Sequence, residues 1–150
     1  MKTAVIVVGT HHAGKSRTIT KYLKPMLGMS PRKRKFTLDG KHGLVKSQSK
    51  EEVLGQNGII YSQSFEENGK DKYLAKIIRE YSVYDLLVLA ARPSDEPVSC
   101  LKPLKAKLEE EGFRVKLVPI EKGHNESYYK EKAKEIFAIL TESKSRKAKA

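Results

Sequence analysis

The sequence predicts an α/β fold: a three-layer sandwich whose mainly parallel sheet of about five strands lies between helices. Three observations predict it. The run Thr3–Val8 is apolar and β-branched almost without a break, and Leu86–Ala91 is fully apolar, the pattern of strands buried on both faces. Stretches with apolar residues at helical spacing alternate with such runs, as in a parallel sheet covered by helices. The chain has 150 residues, 39% hydrophobic and 32% charged, long enough to bury roughly 70% of the surface it exposes when unfolded.

The elements follow in order. After the first strand ends at Gly9, Ile19, Tyr22 and Leu23 mark a helix that Pro25 and Gly28 stop. Phe36–Leu38 and Leu44–Ser47 read as short strands around the glycine-rich turn Asp39-Gly40-Lys41-His42-Gly43. Gly58–Ser62 is a further strand, and Leu74, Ile77, Ile78 and Tyr81 form the apolar stripe of a helix over 71–81. Leu86–Ala91 is the next strand. Leu101, Leu104 and Leu108 predict a helix starting near Pro103 and ending at Gly112. Arg114–Ile120 is the last strand, with Val115, Leu117 and Pro119 on one face, and Tyr129, Ala133, Ile136, Phe137 and Leu140 stripe the last helix. Residues 1–143 read as one domain, and 144–150, basic and without an apolar anchor, as a frayed tail.

Composition narrows the classes. Cys100 is the one cysteine, which excludes an internal disulfide framework and a cysteine-built zinc site. No apolar run approaches the ~20 residues of a membrane span, and the start does not read as a signal peptide, so a cytoplasmic chain without a membrane partner is expected. Thirty basic side chains against 18 acidic give a net charge of +12. The excess is concentrated: residues 21–50 carry nine basic side chains against Asp39 alone. A field of this sign attracts phosphate-bearing partners without choosing among them.

The sharpest motif is Gly9-Thr10-His11-His12-Ala13-Gly14-Lys15-Ser16, which matches Gly-x-x-x-x-Gly-Lys-Ser/Thr, the Walker A signature. Its chemistry explains its residues. Gly9 turns the chain out of the strand, and Gly14 leaves room for backbone N–H groups to approach phosphate at the positive end of the following helix. Lys15 reaches the β- and γ-phosphates of a nucleoside triphosphate, and the Ser16 hydroxyl ligates Mg²⁺. The motif lies between a strand and a helix, the context it requires. Arg17 either touches phosphate or covers the helix. His11 and His12 fill variable positions of the loop facing solvent, with a metal or base role as their other reading.

On these residues the chain resembles the P-loop NTPase superfamily, specifically over 3–23 and only in architecture elsewhere. A regulatory GTPase would show Asp-x-x-Gly and Asn-Lys-x-Asp, which Leu38-Asp39-Gly40-Lys41 and Ala90-Ala91-Arg92-Pro93 do not fit. The layout is most similar to small nucleoside and nucleotide kinase-like proteins, which have five parallel strands and an arginine-bearing lid after the fourth. Arg92 falls at that point. The resemblance implies a P-loop fold, ATP (or GTP) and Mg²⁺ as ligands, and phosphoryl transfer to an anionic small-molecule acceptor.

The chain also departs from that pattern. No apolar strand ends directly in Asp, where such kinases hold Mg²⁺ through water. Glu66, a few residues past the third strand, is the nearest substitute as a metal carboxylate. Asp39 is either a metal or proton-accepting carboxylate or the turn residue of Asp-Gly. The segments 45–52 and 60–67 echo each other, each with Ser-x-x-Glu; they either cap helices or bring hydroxyls and amides to the loop. Arg32-Lys33-Arg34-Lys35 would clamp an anionic substrate or a nucleic-acid backbone, or form a solvated loop. A second function therefore stands beside the kinase: a nucleotide-binding module with weak or no hydrolysis that docks on nucleic acid or a protein partner. Cys100, His42 and His124, and the tyrosines at 73, 81, 84, 128 and 129, read as structural.

Overall fold

The computed structural model describes residues 2–10, 13–38, 56–62, 73–95 and 99–149. Strands β1 (Lys2–Val8), β2 (Lys35–Leu38), β3 (Gln56–Ile60), β4 (Leu86–Ala91) and β5 (Phe113–Pro119) form one sheet in the order β2-β3-β4-β1-β5. Helix α1 is wound as a π-helix over Arg17–Leu23 and as a single α-turn over Lys24–Met26. Helices α2 (Leu74–Tyr81), α3 (Leu101–Glu110) and α4 (Glu126–Lys149) complete the fold. The last of these runs on through residues that the sequence reads as a basic tail.

The sheet is buried on both sides because its central strands alternate between two cores. Val5 and Val7 of β1 join Val88 of β4 under α1 and α4, packed against Ile19, Leu23, Ala133, Ile136 and Leu140. Ala4 and Ile6, with Leu87 and Leu89, face the other way against Leu74 and Ile78 of α2 and Leu101, Leu104 and Leu108 of α3. The period of two along each strand thus feeds both layers, and each fully buried Val, Leu or Ile stabilises the fold by about 1.5–3 kcal/mol. β1 lies between β4 and β5 in parallel, with Thr3 opposite Leu86 on one side and Arg114 on the other. β3 pairs with β4 in parallel.

Two expectations are corrected. The sheet is mixed rather than mainly parallel: edge strand β2 runs antiparallel to β3, with Lys35 opposite Ile59 and Leu38 opposite Gln56. The cause is legible in β2 itself. Phe36 and Leu38 are buried while Lys35 is exposed and Thr37 half-buried, the alternation of an edge strand with one covered face. Phe36 lies over Gly58, its partner across the ladder, so closely that a Cβ there would collide with the ring. The aromatic fills the space that the glycine leaves open. Second, the face that Val115 and Leu117 share is not covered along its length: Leu117 is 44% exposed. β5 is the other edge of the sheet, and only Phe113 and Val115 at its start join the core under α3.

The termini of α3 show how local chemistry sets boundaries. The helix begins at Leu101, two residues before Pro103. Proline is tolerated there because first-turn N–H groups have no intrahelical acceptor. Ser99 Oγ accepts from the Leu101 N–H at 3.1 Å and donates to the Arg92 carbonyl at 2.7 Å, so one hydroxyl ties the helix start to the end of β4.

Candidate functional site

The candidate site lies where the carboxyl ends of β1, β4 and β5 meet. The helix after β1 packs in the core shared with α4, and the helix after β4 packs in the opposite core. Adjacent parallel strands whose helices leave to opposite faces open a crevice at their carboxyl ends. The crevice is framed by backbone bonds. The Gly9 N–H donates to the Ala91 carbonyl at 3.0 Å, and the Ile120 N–H donates to the Val8 carbonyl at 2.7 Å.

Into this frame runs the loop after β1. The Ala13 N–H donates to the Thr10 carbonyl at 3.0 Å, closing the loop on itself, and the Thr18 N–H donates to the Gly14 carbonyl at 2.9 Å, starting the helix. Gly14 adopts φ +105°, a conformation that side chains with a Cβ rarely take. A Cβ there would also fall 3.0 Å from Cδ1 and Cζ of Tyr129 and closer still to Cε1. The glycine is therefore required twice over, by the turn and by the aromatic ring of α4 pressed against it.

Lys15 is 5% exposed. Its ammonium donates to the Gly9 carbonyl at 2.5 Å and to the Thr10 carbonyl at 3.3 Å, so the charge is drawn inward to the loop instead of reaching into bulk water. A buried ammonium needs such oxygen partners to offset its lost hydration. Ser16 follows at the helix start, exposed and without a side-chain capping bond. Thr18 Oγ1 is buried with no hydrogen-bond partner among the described residues. The widened π-helical winding that follows is a geometry often found at functional sites; the Lys24 N–H reaches back five residues to the Ile19 carbonyl.

Arg17 points to α4. Its Nη1 lies 3.1 Å from Glu126 Oε2 and its guanidinium 5.1 Å from the Tyr129 ring centroid. Glu126 also accepts from Lys21 Nζ at 2.7 Å and from the Tyr22 hydroxyl at 2.5 Å. The Lys21 hydrogen bond, then that of Tyr22, holds the Glu126 carboxyl below its ordinary range. The same Glu126 contact raises Lys21 and Tyr22. Arg92 is half-buried directly after β4. Thr10 and Ala13 are placed by the loop, whereas His11, His12, Asp39 and Glu66 lie outside the described residues, as do residues 45–52 and 63–67 of the two echoing segments. His124 stacks on Tyr128 with ring centroids 3.9 Å apart, and Cys100 is buried.

Sequence reasoning missed the partners that α4 supplies. Tyr129 read as one position of a core stripe, and nothing in its spacing tells that the stripe meets Gly14. Among the described residues no group of three or more His, Cys, Asp or Glu side chains is placed to hold a metal ion, and no helix is long and apolar enough to cross a membrane. Family models, curated proteins and solved structures give no match to this chain.

Proposed function

We propose that the loop Gly9–Ser16 binds the phosphates of a nucleoside triphosphate, ATP or GTP, with Mg²⁺, and that the protein is a small kinase-type phosphotransferase. The observation that carries the reading is the juxtaposition of a buried Lys15 ammonium inside a glycine-turned loop with the start of α1, at the crevice between β1 and β4. First-turn N–H groups and the helix dipole favour an anion at that point. A phosphate oxygen is a stronger acceptor for Lys15 than the neutral carbonyls of Gly9 and Thr10, so the ammonium is held where an incoming phosphate would engage it.

The donor set fits the phosphates better than it fits the metal. Ser16 offers one exposed hydroxyl to Mg²⁺, and Glu66 is the carboxylate candidate. Bound Mg²⁺ supplies neutralisation of charge at the phosphate oxygens. Lys15 stabilises the same charge, and Arg92 adds to it from the end of β4. In the transfer an acceptor oxygen bonds to the terminal phosphorus, the bond to the bridging oxygen breaks, the nucleoside diphosphate leaves, and the acceptor proton passes to a carboxylate, Asp39 or Glu66.

A second reading is favoured by one observation: β4, beside the loop strand, continues into Arg92-Pro93 with no acidic residue at its end. That suits a nucleotide-binding module that hydrolyses weakly and docks through Arg32–Lys35. Titration with ATP and Mg²⁺ followed by a labelled-phosphate transfer assay separates the two. A kinase transfers label to a member of a metabolite panel and loses transfer in Lys15→Ala. A docking module transfers none and binds oligonucleotide with affinity that falls steeply with salt. Unchanged nucleotide binding in Lys15→Ala refutes both.

A further inference from the structure

A cationic cavity lies away from the loop. It has a volume of about 310 Å³ and is bounded by Lys24 at the end of α1, Pro31, Arg32 and Arg34 on the connection to β2, and Ile60, Tyr61 and Ser62 at the end of β3. Three of these side chains are cations, and no carboxylate lines it among the described residues. Lys24 is the unusual member, at 4% exposure. Its ammonium donates to the Pro31 carbonyl at 2.7 Å, one partner for a group with three donors. Burial, and then the nearby Arg34 charge, push the Lys24 pKa down. Arg34, itself exposed, lies with its guanidinium 5.3 Å from the Tyr61 ring centroid, an aromatic face that helps orient its fork.

Two like charges brought together, one of them buried, repel one another and cost hydration. An anion placed between them would relieve both costs. We propose that this cavity binds the phosphate of a small phosphomonoester, with Lys24 as a point charge and the guanidinium forks of Arg32 and Arg34 bonding the oxygens. The volume is at the small end of ligand sites and suits a sugar phosphate or the phosphate and ribose of a nucleoside monophosphate.

The place of the cavity gives it a role. Ile60 pairs with Val88, and Val88 with Val5, so the end of β3 stands two strand spacings, about 10 Å, across the sheet from β1, level with Val5 and four residues before Gly9. A pentose or hexose monophosphate spans that order of distance. Anchoring the acceptor of phosphoryl transfer is therefore the role of the cavity, and that role rests on the kinase reading; binding of the phosphomonoester does not.

The test is calorimetric titration of the full chain with ribose 5-phosphate, AMP, inorganic phosphate, ATP and a single-stranded oligonucleotide, at fixed ionic strength, against Lys24→Met, Arg34→Met and Lys15→Ala. Ribose 5-phosphate or AMP is expected to bind and to weaken at least about tenfold in each cavity variant; a loss confined to Lys15→Ala would place the ester at the loop and overturn the proposal. Preference between the two esters tells whether a base is also held. Arg34→Met, at an exposed residue, keeps the test open if the buried Lys24 variant does not fold. No binding of either ester overturns the proposal, as does binding indifferent to both cavity variants. So does a variant effect confined to a single-stranded oligonucleotide, which would make the cluster a nucleic-acid contact. Lost ATP binding in Lys15→Ala with intact phosphomonoester binding leaves both proposals standing; intact ATP binding there removes both nucleotide readings and leaves the phosphomonoester site.

Discussion

Substituting Gly14 by alanine probes the loop where two separate costs can be told apart. The first is conformational: at φ +105° a residue with a Cβ is strained by about 1–3 kcal/mol. The second is steric. The new methyl would meet the Tyr129 ring with 3.0 Å to Cδ1 and Cζ and less to Cε1, overpacking that costs about 1–3 kcal/mol more. Gly14→Ala should therefore lose about 2–6 kcal/mol by denaturant titration, the sum of those ranges. Tyr129→Ala removes the ring and the hydroxyl bond to the Glu121 carbonyl, at its own cost of about 3–5 kcal/mol. In that background only the conformational cost of the alanine remains. The double-mutant cycle should return a coupling of about 1–3 kcal/mol, with the alanine less harmful when the ring is absent. A coupling near zero would refute the claim that α4 presses on the loop. A Gly14→Ala protein as stable as the parent would refute the required positive φ as well.

Other perturbations follow from the same structure. Ile6→Ala, in a strand closed off on both faces, should cost about 2–5 kcal/mol, read as a lower denaturant midpoint with unchanged slope. Leu117→Lys on the exposed part of β5 should stay within about 0.5 kcal/mol of the parent, which a thermal melt will show. Glu126 has a folded pKa below its ordinary value near 4.5. Its stabilising contribution is therefore complete above that value and is lost as pH falls through the lower folded value. Glu126→Gln should accordingly flatten the acid limb of the stability curve, an effect that shrinks with added salt because the cluster is exposed. An unaltered acid limb would show that the carboxylate does not tie α1 to α4.

How much of this was legible in the sequence depends on what each signal measures. The strands β1 and β4 were plain because burial on both faces restricts composition, and Ala4 to Val8 and Leu86 to Ala91 are apolar throughout. Strand direction was not, because direction is a property of the connection. The four residues of β2 carry the alternation of a half-covered edge, but an apolar-polar alternation is compatible with either direction until its neighbour is known. The loop was legible as a motif, since a backbone that must turn sharply and hold an ammonium restricts its own residues. Its supports were not. Tyr129 lies 115 residues after Gly14, and a helical stripe records which face is buried, not what it is buried against. Lys24 was hidden for a related reason. A lysine before Pro25 in the last turn of a helix has the composition of a solvated end, and only the return of the chain through Pro31 and Arg34 encloses it.

The placement of charge along the sheet adds a constraint that no single residue carries. Lys15 follows β1, Arg92 follows β4, and Lys24 and Arg34 flank the end of β3, so cations gather at the carboxyl edge of the parallel strands. Several described acids are engaged elsewhere, Glu126 on the seam between α1 and α4, Glu109 and Glu110 along α3, Glu131 and Glu135 along α4, while Asp95 after β4 and Glu121 after β5 are the acids nearer that edge. A protein that gathers one sign of charge in this way loses stability to self-repulsion, and an anion that binds the folded state alone returns it. The size of that return follows from mass action, about 2.7 kcal/mol when the ligand stands at one hundred times its dissociation constant. Two such sites with separate ligands would add their effects, because each acts on the folded state independently. Nucleotide and phosphomonoester together should therefore raise the melting temperature by more than either does alone. A single saturable shift shared by both ligands would mean that the carboxyl edge holds one anion site and not two.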